Sequence, residues 1–179
     1  MSLREITKDL HTEAEKTEFA KLLLSGNISK EKYTDYLYQM IAVYGPVEFG
    51  CKIQGIFETL QGVERLHKIS QDFQELADKN YHYVWLPSTL AYNRYVVELI
   101  NDPKRRHLLK AHLYVRHMGD LFGGQYIVKK VPGSGKFYEF DNVEELRAAI
   151  RNILTDDLGD EARVAFEWAI KIMRELSNE

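Results

Sequence analysis

Apolar residues recur three and four positions apart along almost the whole chain, and the interruptions carry cap and turn residues. Such spacing gives each segment one buried helical stripe and leaves little of the strict alternation that a half-buried strand needs. The reading is therefore all-α, and 179 residues fit one domain, residues 1–179, against a soft prior of about 150 per domain. Neither an internal repeat nor a linker divides it.

Ser2 and Glu5 have capping-box spacing ahead of Leu3, Ile6, Leu10 and Ala14. Ser25-Gly26-Asn27 breaks the pattern, and Ser29 caps a second helix bearing Tyr33, Tyr36, Leu37, Met40, Ile41 and Tyr44. Gly45-Pro46 should kink or interrupt that helix, since proline lacks a donor and clashes with the preceding turn. The pattern resumes through Phe49, Ile53, Ile56 and Leu60, and Gly62 separates it from a helix over 63–79. Residues 80–88 are irregular and aromatic, and a helix follows over 89–100. Asn101-Asp102-Pro103 reads as a cap with proline at the first position of a long helix over 103–130. After a loop at 131–136, Phe137-Tyr138-Glu139-Phe140 reads as a short extended piece. Asp141 and Glu144 should box the next helix, which runs to 154, and the last spans 160–176.

Hydrophobic residues at 45% and charged residues at 28% exclude wholesale disorder. A net charge of −3 disfavours a general nucleic-acid binder. Cys51 is the sole cysteine, so no intramolecular disulfide forms, in agreement with a reducing compartment. No run approaches the roughly 20 apolar residues of a membrane span. The first ten residues carry four charges and do not read as a secretory signal, and the polar C-terminus holds no anchor. The expectation is a soluble, cytoplasmic protein.

The most unusual chemistry lies in Gly119-Asp120-Leu121-Phe122-Gly123-Gly124-Gln125. Each glycine inside a helix costs about 1 kcal/mol relative to alanine. Gly119 and Gly123 share a face, which suits a helix crossing through small residues, a bend, or the approach of something flat. Asp120 is placed for an i,i+4 ion pair with Arg116, or as a carboxylate ordering water beside the bare backbone. His11 sits at the edge of the first apolar stripe, with Glu15 one turn on to hold its second ring nitrogen. Arg147 and Arg151 form an i,i+4 cationic pair that suits carboxylates or a solvated face.

Taken together, the stretch from Leu3 through His11 to Glu15 and the stretch Tyr114-Val115-Arg116-His117-Met118-Gly119-Asp120-Leu121-Phe122-Gly123-Gly124-Gln125 resemble the proximal and distal helices of haem oxygenases. The resemblance runs from the first helix to the last. It implies a helical bundle holding haem b between a proximal helix and a kinked distal one, with haem as both substrate and cofactor. The implied reaction uses O2 to open the ring at the α-meso carbon, giving biliverdin IXα, carbon monoxide and ferrous iron. By the same resemblance His11 is the iron ligand and Glu15 its support. Gly119, Gly123 and Gly124 line the distal face, and Asp120, Arg116 and Tyr44 serve the distal water network. Arg4, Tyr114, Arg147 and Arg151 meet the propionates, and Phe166 lies near the haem. Arg4 precedes His11 by seven residues, about 10 Å along a helix axis, which is about the reach from iron to propionate.

The chain departs from the family pattern at several positions. Arginine stands at 4 and 147 where lysine is frequent, His117 where tyrosine is common, and Phe122 where a small residue is common. No flavin, nicotinamide or iron–sulfur motif is present, so the resemblance implies an electron-donor protein such as ferredoxin, and a bilin reductase acting downstream. Lys8, Lys104, Arg105, Arg106, Lys110, Lys129 and Lys130 suit an acidic donor or simply a solvated surface.

Other readings fit less well. A di-iron bundle typically needs two Glu-x-x-His motifs, and only Glu64 to His67 supplies one. A cysteine hydrolase needs an activated thiol, and Cys51 has no evident base near it in sequence. Zinc at His107, His112 and His117 fails because a spacing of five turns each ring by about 140°. A non-catalytic haem carrier or sensor is the alternative of a different class.

Overall fold

The computed structural model describes residues 2–178, and among them every regular element is helical. The chain starts at the expected capping box: the Ser2 amide donates to Glu5 Oε2 at 2.8 Å, and Ser2 Oγ accepts from the Glu5 amide. The first helical stretch is then cut into three pieces, α1 (Leu3–Ile6), α2 (Lys8–Lys16) and α3 (Glu18–Ser25). Threonines make the cuts. Thr7 Oγ1 donates back to the Leu3 carbonyl at 2.8 Å, and Thr17 Oγ1 caps α3 by accepting from the Ala20 amide at 3.2 Å. Gly26, at φ +78°, closes α3 in the left-handed region where a Cβ would be strained.

Ser29 caps α4 (Lys30–Lys52), as expected. The interruption expected at Gly45-Pro46 does not occur, and α4 runs through Pro46 as one helix. Proline removes the donor that would have served the carbonyl four residues earlier, and here Asn93 Nδ2 donates to that Ala42 carbonyl at 2.8 Å. The side chain of a neighbouring helix thus satisfies the group that the ring leaves free.

The remaining helices are α5 (Leu66–Leu76), α6 (Pro87–Asn101), α7 (Leu109–Ile127), α8 (Val143–Asn152) and α9 (Gly159–Ser177). Pro87, not Pro103, takes the first helical turn. The helix expected from 103 begins at Leu109, because Asp102 folds the chain into a turn: its carbonyl accepts from the Arg105 and Arg106 amides, and its Oδ1 from the Lys104 amide. The segment expected to be extended at 137–140 holds a 3-10 turn at Lys136–Tyr138, pinned by Asp72, which accepts from the Lys136 and Phe137 amides. Asn142, without a side-chain cap bond, replaces the expected capping box at the start of α8.

One large apolar cluster joins α3–α7 and the 136–138 turn around residues such as Tyr33, Leu37, Tyr92 and Leu113. A second gathers Leu3, Leu10, Ala111, Val115, Ala162, Phe166 and Ile170, binding α1, α2, α7 and α9 together. Both α2 and α7 rest on α9. That support brings the His11 segment and the glycine-bearing helix into one neighbourhood although about a hundred residues separate them.

Candidate functional site

His11 projects from α2 with its side chain 58% exposed. Its Nδ1 lies 3.7 Å from Glu15 Oε1, and its ring meets Phe166 of α9 edge-on at 5.9 Å. The apolar face of α2 is spent on Leu10, which leaves the imidazole at the rim of the second cluster.

α7 passes through its three glycines unbroken. Their surroundings differ sharply. A Cβ on Gly119 would meet nothing within 4 Å, whereas on Gly123 it would touch only Ile127, at 3.7 Å. A Cβ on Gly124 would fall 2.8 Å from the Tyr138 ring. Gly124 therefore lets the 136–138 turn close onto α7, and Gly119 faces open space.

Asp120 points the other way, into the protein, and is buried. Tyr44 of α4 donates its hydroxyl proton to Asp120 Oδ2 at 2.6 Å. Burial pushes the Asp120 carboxyl up to about 6, against the pull of His117, the Tyr44 bond, Arg65 and Arg116. Burial and the neighbouring Asp120 charge hold the Tyr44 phenol well above its ordinary value, so it stays a donor. The i,i+4 ion pair expected between Arg116 and Asp120 does not form. Arg116 lies over the Tyr92 ring at 5.1 Å, and its Nε and Nη2 are buried without a hydrogen-bond partner.

Arg4, Tyr114 and Arg151 converge from α1, α7 and α8. Burial raises the Tyr114 phenol, while a hydrogen bond with Thr7 and the charges of Arg4 and Arg151 pull it down. Arg147 is engaged elsewhere. Its Nη2 donates to the Leu121 carbonyl at 2.6 Å, its Nη1 pairs with Glu144, and its guanidinium covers the Phe122 ring at 3.8 Å. Arg151 approaches the same ring from 6.0 Å. The bulk of Phe122, unusual against the pattern of resemblance, is thus stacked under α8 arginines.

Several residues of this region have roles that no motif in the sequence announces. Glu48 lies one turn beyond Tyr44 on α4 and receives the Arg65 and Leu66 amides, and its Oε1 lies 3.0 Å from His117 Nε2. Arg65, only 2% exposed, donates to the carbonyls of Gly62, Val63, Phe137 and Glu139 and so ties the start of α5 to the 136–138 turn. Tyr33, Tyr36 and Tyr138 surround Asp120 more distantly, and its charge raises each of their phenols further. Glu48 alone had a local cue, its i,i+4 spacing from Tyr44, and nothing in sequence links it to a partner 69 positions on.

The family model described as "Heme oxygenase" matches residues 1–175. "Heme oxygenase" of Pyropia yezoensis is 31% identical over 210 residues, covering 98% of this chain and 84% of that one. "Heme oxygenase 2" of Macaca fascicularis is 32% identical, and the chain spans 64% of its length. The solved structure of heme oxygenase-1 from the cyanobacterium Synechocystis sp., in complex with heme, superposes with a TM-score of 0.84 at 26% identity, covering 98% of this chain and 90% of that one. The Leptospira interrogans heme oxygenase shares the fold, with a TM-score of 0.80 at 24% identity over 98% of this chain and all of that one. Matched along its length in sequence and in helical architecture, the chain belongs to the haem oxygenase family.

Proposed function

We propose that this protein cleaves haem oxidatively at the α-meso carbon to biliverdin IXα, carbon monoxide and ferrous iron, using O2 and electrons from a partner such as reduced ferredoxin. One observation carries the reading above the others: a buried carboxyl, held by the Tyr44 hydroxyl and pushed upward by burial, stands next to a mid-helix glycine whose Cβ position opens onto empty space. A helix accepts that glycine at a cost of about 1 kcal/mol, and the gain is a surface that a flat ligand can approach.

The residues fit haem. An exposed imidazole would supply a nitrogen ligand to the iron, arginines and a tyrosine gather in a group that suits carboxylates, and buried guanidinium atoms of Arg116 are left without partners. Bound haem supplies the iron that takes O2 and the ring that is consumed. His11 would hold the iron, with Glu15 standing near its Nδ1. Phe166 meets the imidazole edge-on and would flank the haem. Arg4, Tyr114 and Arg151 would receive the propionates and so orient the ring. Arg147 joins them by exchanging its Glu144 contact, while its bond to the Leu121 carbonyl steadies the segment between the glycines. Gly119 and Gly123 keep the distal face bare, while the expected contact of Gly124 with that face gives way to its seat under the Tyr138 ring. Asp120, aligned by Tyr44 and flanked by Arg116, holds distal water and exchanges a proton with it near neutral pH.

Among the described residues no helix is long and apolar enough to cross a membrane, and we assign the protein to the cytoplasm as a single domain over 1–179. Exposed Lys104 and Arg105 suit an acidic electron donor, whereas Lys130 and Arg106 already donate to the carbonyls of Leu24 and Ile100. A bilin reductase would take up the product. The test is incubation with haemin, ferredoxin, its reductase and NADPH. Loss of the Soret band with growth of bilin absorbance is expected. Stoichiometric haemin uptake without bilin would assign a carrier or sensor instead, and absence of uptake would end the proposal.

A further inference from the structure

Two buried histidines on α7 are held in opposite ways. His112 has a partner that can donate: the Tyr92 hydroxyl lies 2.9 Å from its Nδ1, and its Nε2 lies 2.8 Å from Glu161 Oε1. A neutral ring satisfies both, accepting from tyrosine and donating to the carboxylate. Burial lowers the His112 pKa, in keeping with that neutral form. His117 has acceptors on both sides. Its Nδ1 faces the Leu113 carbonyl at 3.2 Å, and its Nε2 faces Glu48 Oε1 at 3.0 Å. A carbonyl cannot donate, so Nδ1 carries hydrogen, and a second proton must lie between Nε2 and Oε1. Glu48 also accepts from the Arg65 amide at Oε1 and the Leu66 amide at Oε2, so both its oxygens already act as acceptors. The second proton therefore belongs to the ring.

That cation sits where it matters for the reaction proposed above. His117 lies one helical turn before Asp120 on the same side of α7, and its ring packs edge-on against Tyr44 at 5.1 Å, the residue that donates to Asp120. We propose that His117 is a positioning residue: held as an imidazolium between Leu113 and Glu48, it keeps Asp120 in reach of its ionised form and the Tyr44 hydroxyl donating to it. The consequence for turnover rests on the haem-cleaving reading, but the charge arrangement does not.

The groups facing Asp120 are Tyr33, Tyr36 and Tyr44 from α4, Arg65 from the segment before α5, Tyr138 from the 136–138 turn, and Arg116 and His117 from α7. Among the cations, His117 acts most strongly on it. Glu48 faces His117 from α4.

The test uses the haem-free protein. Nitrogen-15 NMR of labelled histidine should find both ring nitrogens of His117 protonated at neutral pH and only one of those of His112. Infrared titration of the Asp120 carboxyl, identified by its loss in Asp120→Asn, should place its midpoint higher by about one pH unit or more in His117→Gln, the shift expected when a nearby opposite charge is removed. Glutamine still donates to Glu48 but carries no charge. Glu48→Gln provides an independent route, because the ring loses its counter-charge and gives up a proton, and the Asp120 midpoint again rises. A bare nitrogen on His117 in the unaltered protein overturns the proposal, as does an Asp120 midpoint that stays put in whichever variant folds. Failure of haemin uptake would remove the haem reading while leaving these titrations intact.

Discussion

An imidazole that is 58% exposed in a small helical protein costs nothing to keep and contributes nothing to the core. The ligand role proposed for His11 rests on its surroundings: Phe166 meets the ring edge-on, and Glu15 stands by Nδ1. His11→Ala should leave folding stability within about 0.5 kcal/mol, since the site lies on the surface. Haemin affinity and turnover should fall together, and added imidazole should restore the axial-ligand spectrum. An unchanged spectrum in the variant would remove His11 as the ligand. Support from Glu15 is weaker than a formed hydrogen bond, because 3.7 Å exceeds bonding distance. Glu15→Ala should therefore cost about tenfold in haem affinity, the low end for such partners. His11, Asp120 and the glycines were legible in the sequence because each belongs to a contiguous motif. Glu48 and Arg65 were not, because their roles come from partners brought in by the fold.

At the scale of one helix, α7 separates two uses of glycine that look identical in sequence. Gly119→Ala adds a methyl to open space and gains helix propensity, so the haem-free protein should become more stable by up to about 1 kcal/mol. The same methyl intrudes on the proposed haem face, so haem affinity and bilin yield should fall. Gly124→Ala drives its Cβ to 2.8 Å from a Tyr138 ring atom and 3.2 Å from the Tyr138 Cβ, neither of which is a free end that can swing away. It should destabilise by about 1–3 kcal/mol. Urea unfolding of the two variants distinguishes them, and equal effects of the same sign would refute this division of labour. Helix ends elsewhere were less legible than helix existence. Pro46 fails to break α4 because Asn93, 47 positions later, serves the carbonyl it orphans. The late start of α7 at Leu109 reflects a turn built on the Asp102 carbonyl and carboxylate, which competes locally with helix.

Across the whole molecule the apolar periodicity made the all-helical class readable, but not how α2 and α7 come to share α9, since that depends on interlocking side chains such as Leu10, Val115 and Phe166. Nor did the motif reveal that its aspartate would be buried, and burial gives the site an energetic consequence for the entire fold. The folded-state value of Asp120, about 6, lies above its ordinary 3.8. A carboxyl shifted upward binds its proton more tightly when folded, so its contribution is complete below 3.8 and is lost as pH rises through about 6. The gap corresponds to about 3 kcal/mol at pH 7, a sizeable part of a typical domain's stability. Asp9 has the opposite sign: held at about 2 by its bonds to Arg163, it supports the fold above 3.8 and ceases to do so as pH falls towards 2. The two windows barely overlap, and the difference between parent and a variant at position 120 cancels other titrations between pH 4 and 7, that of His112 included. Asp120→Asn keeps an oxygen for the Tyr44 hydroxyl and removes the ionisation. Its urea midpoint should match the parent near pH 4 and exceed it by about 1–2 M at pH 7, given a slope of about 2 kcal/mol per molar. Bilin formation should be impaired in the same variant, because stability is gained by giving up the group proposed to exchange the proton. Parallel midpoint curves for parent and variant across that range would mean that the carboxyl is solvated in solution, and the argument from its burial would fail with it.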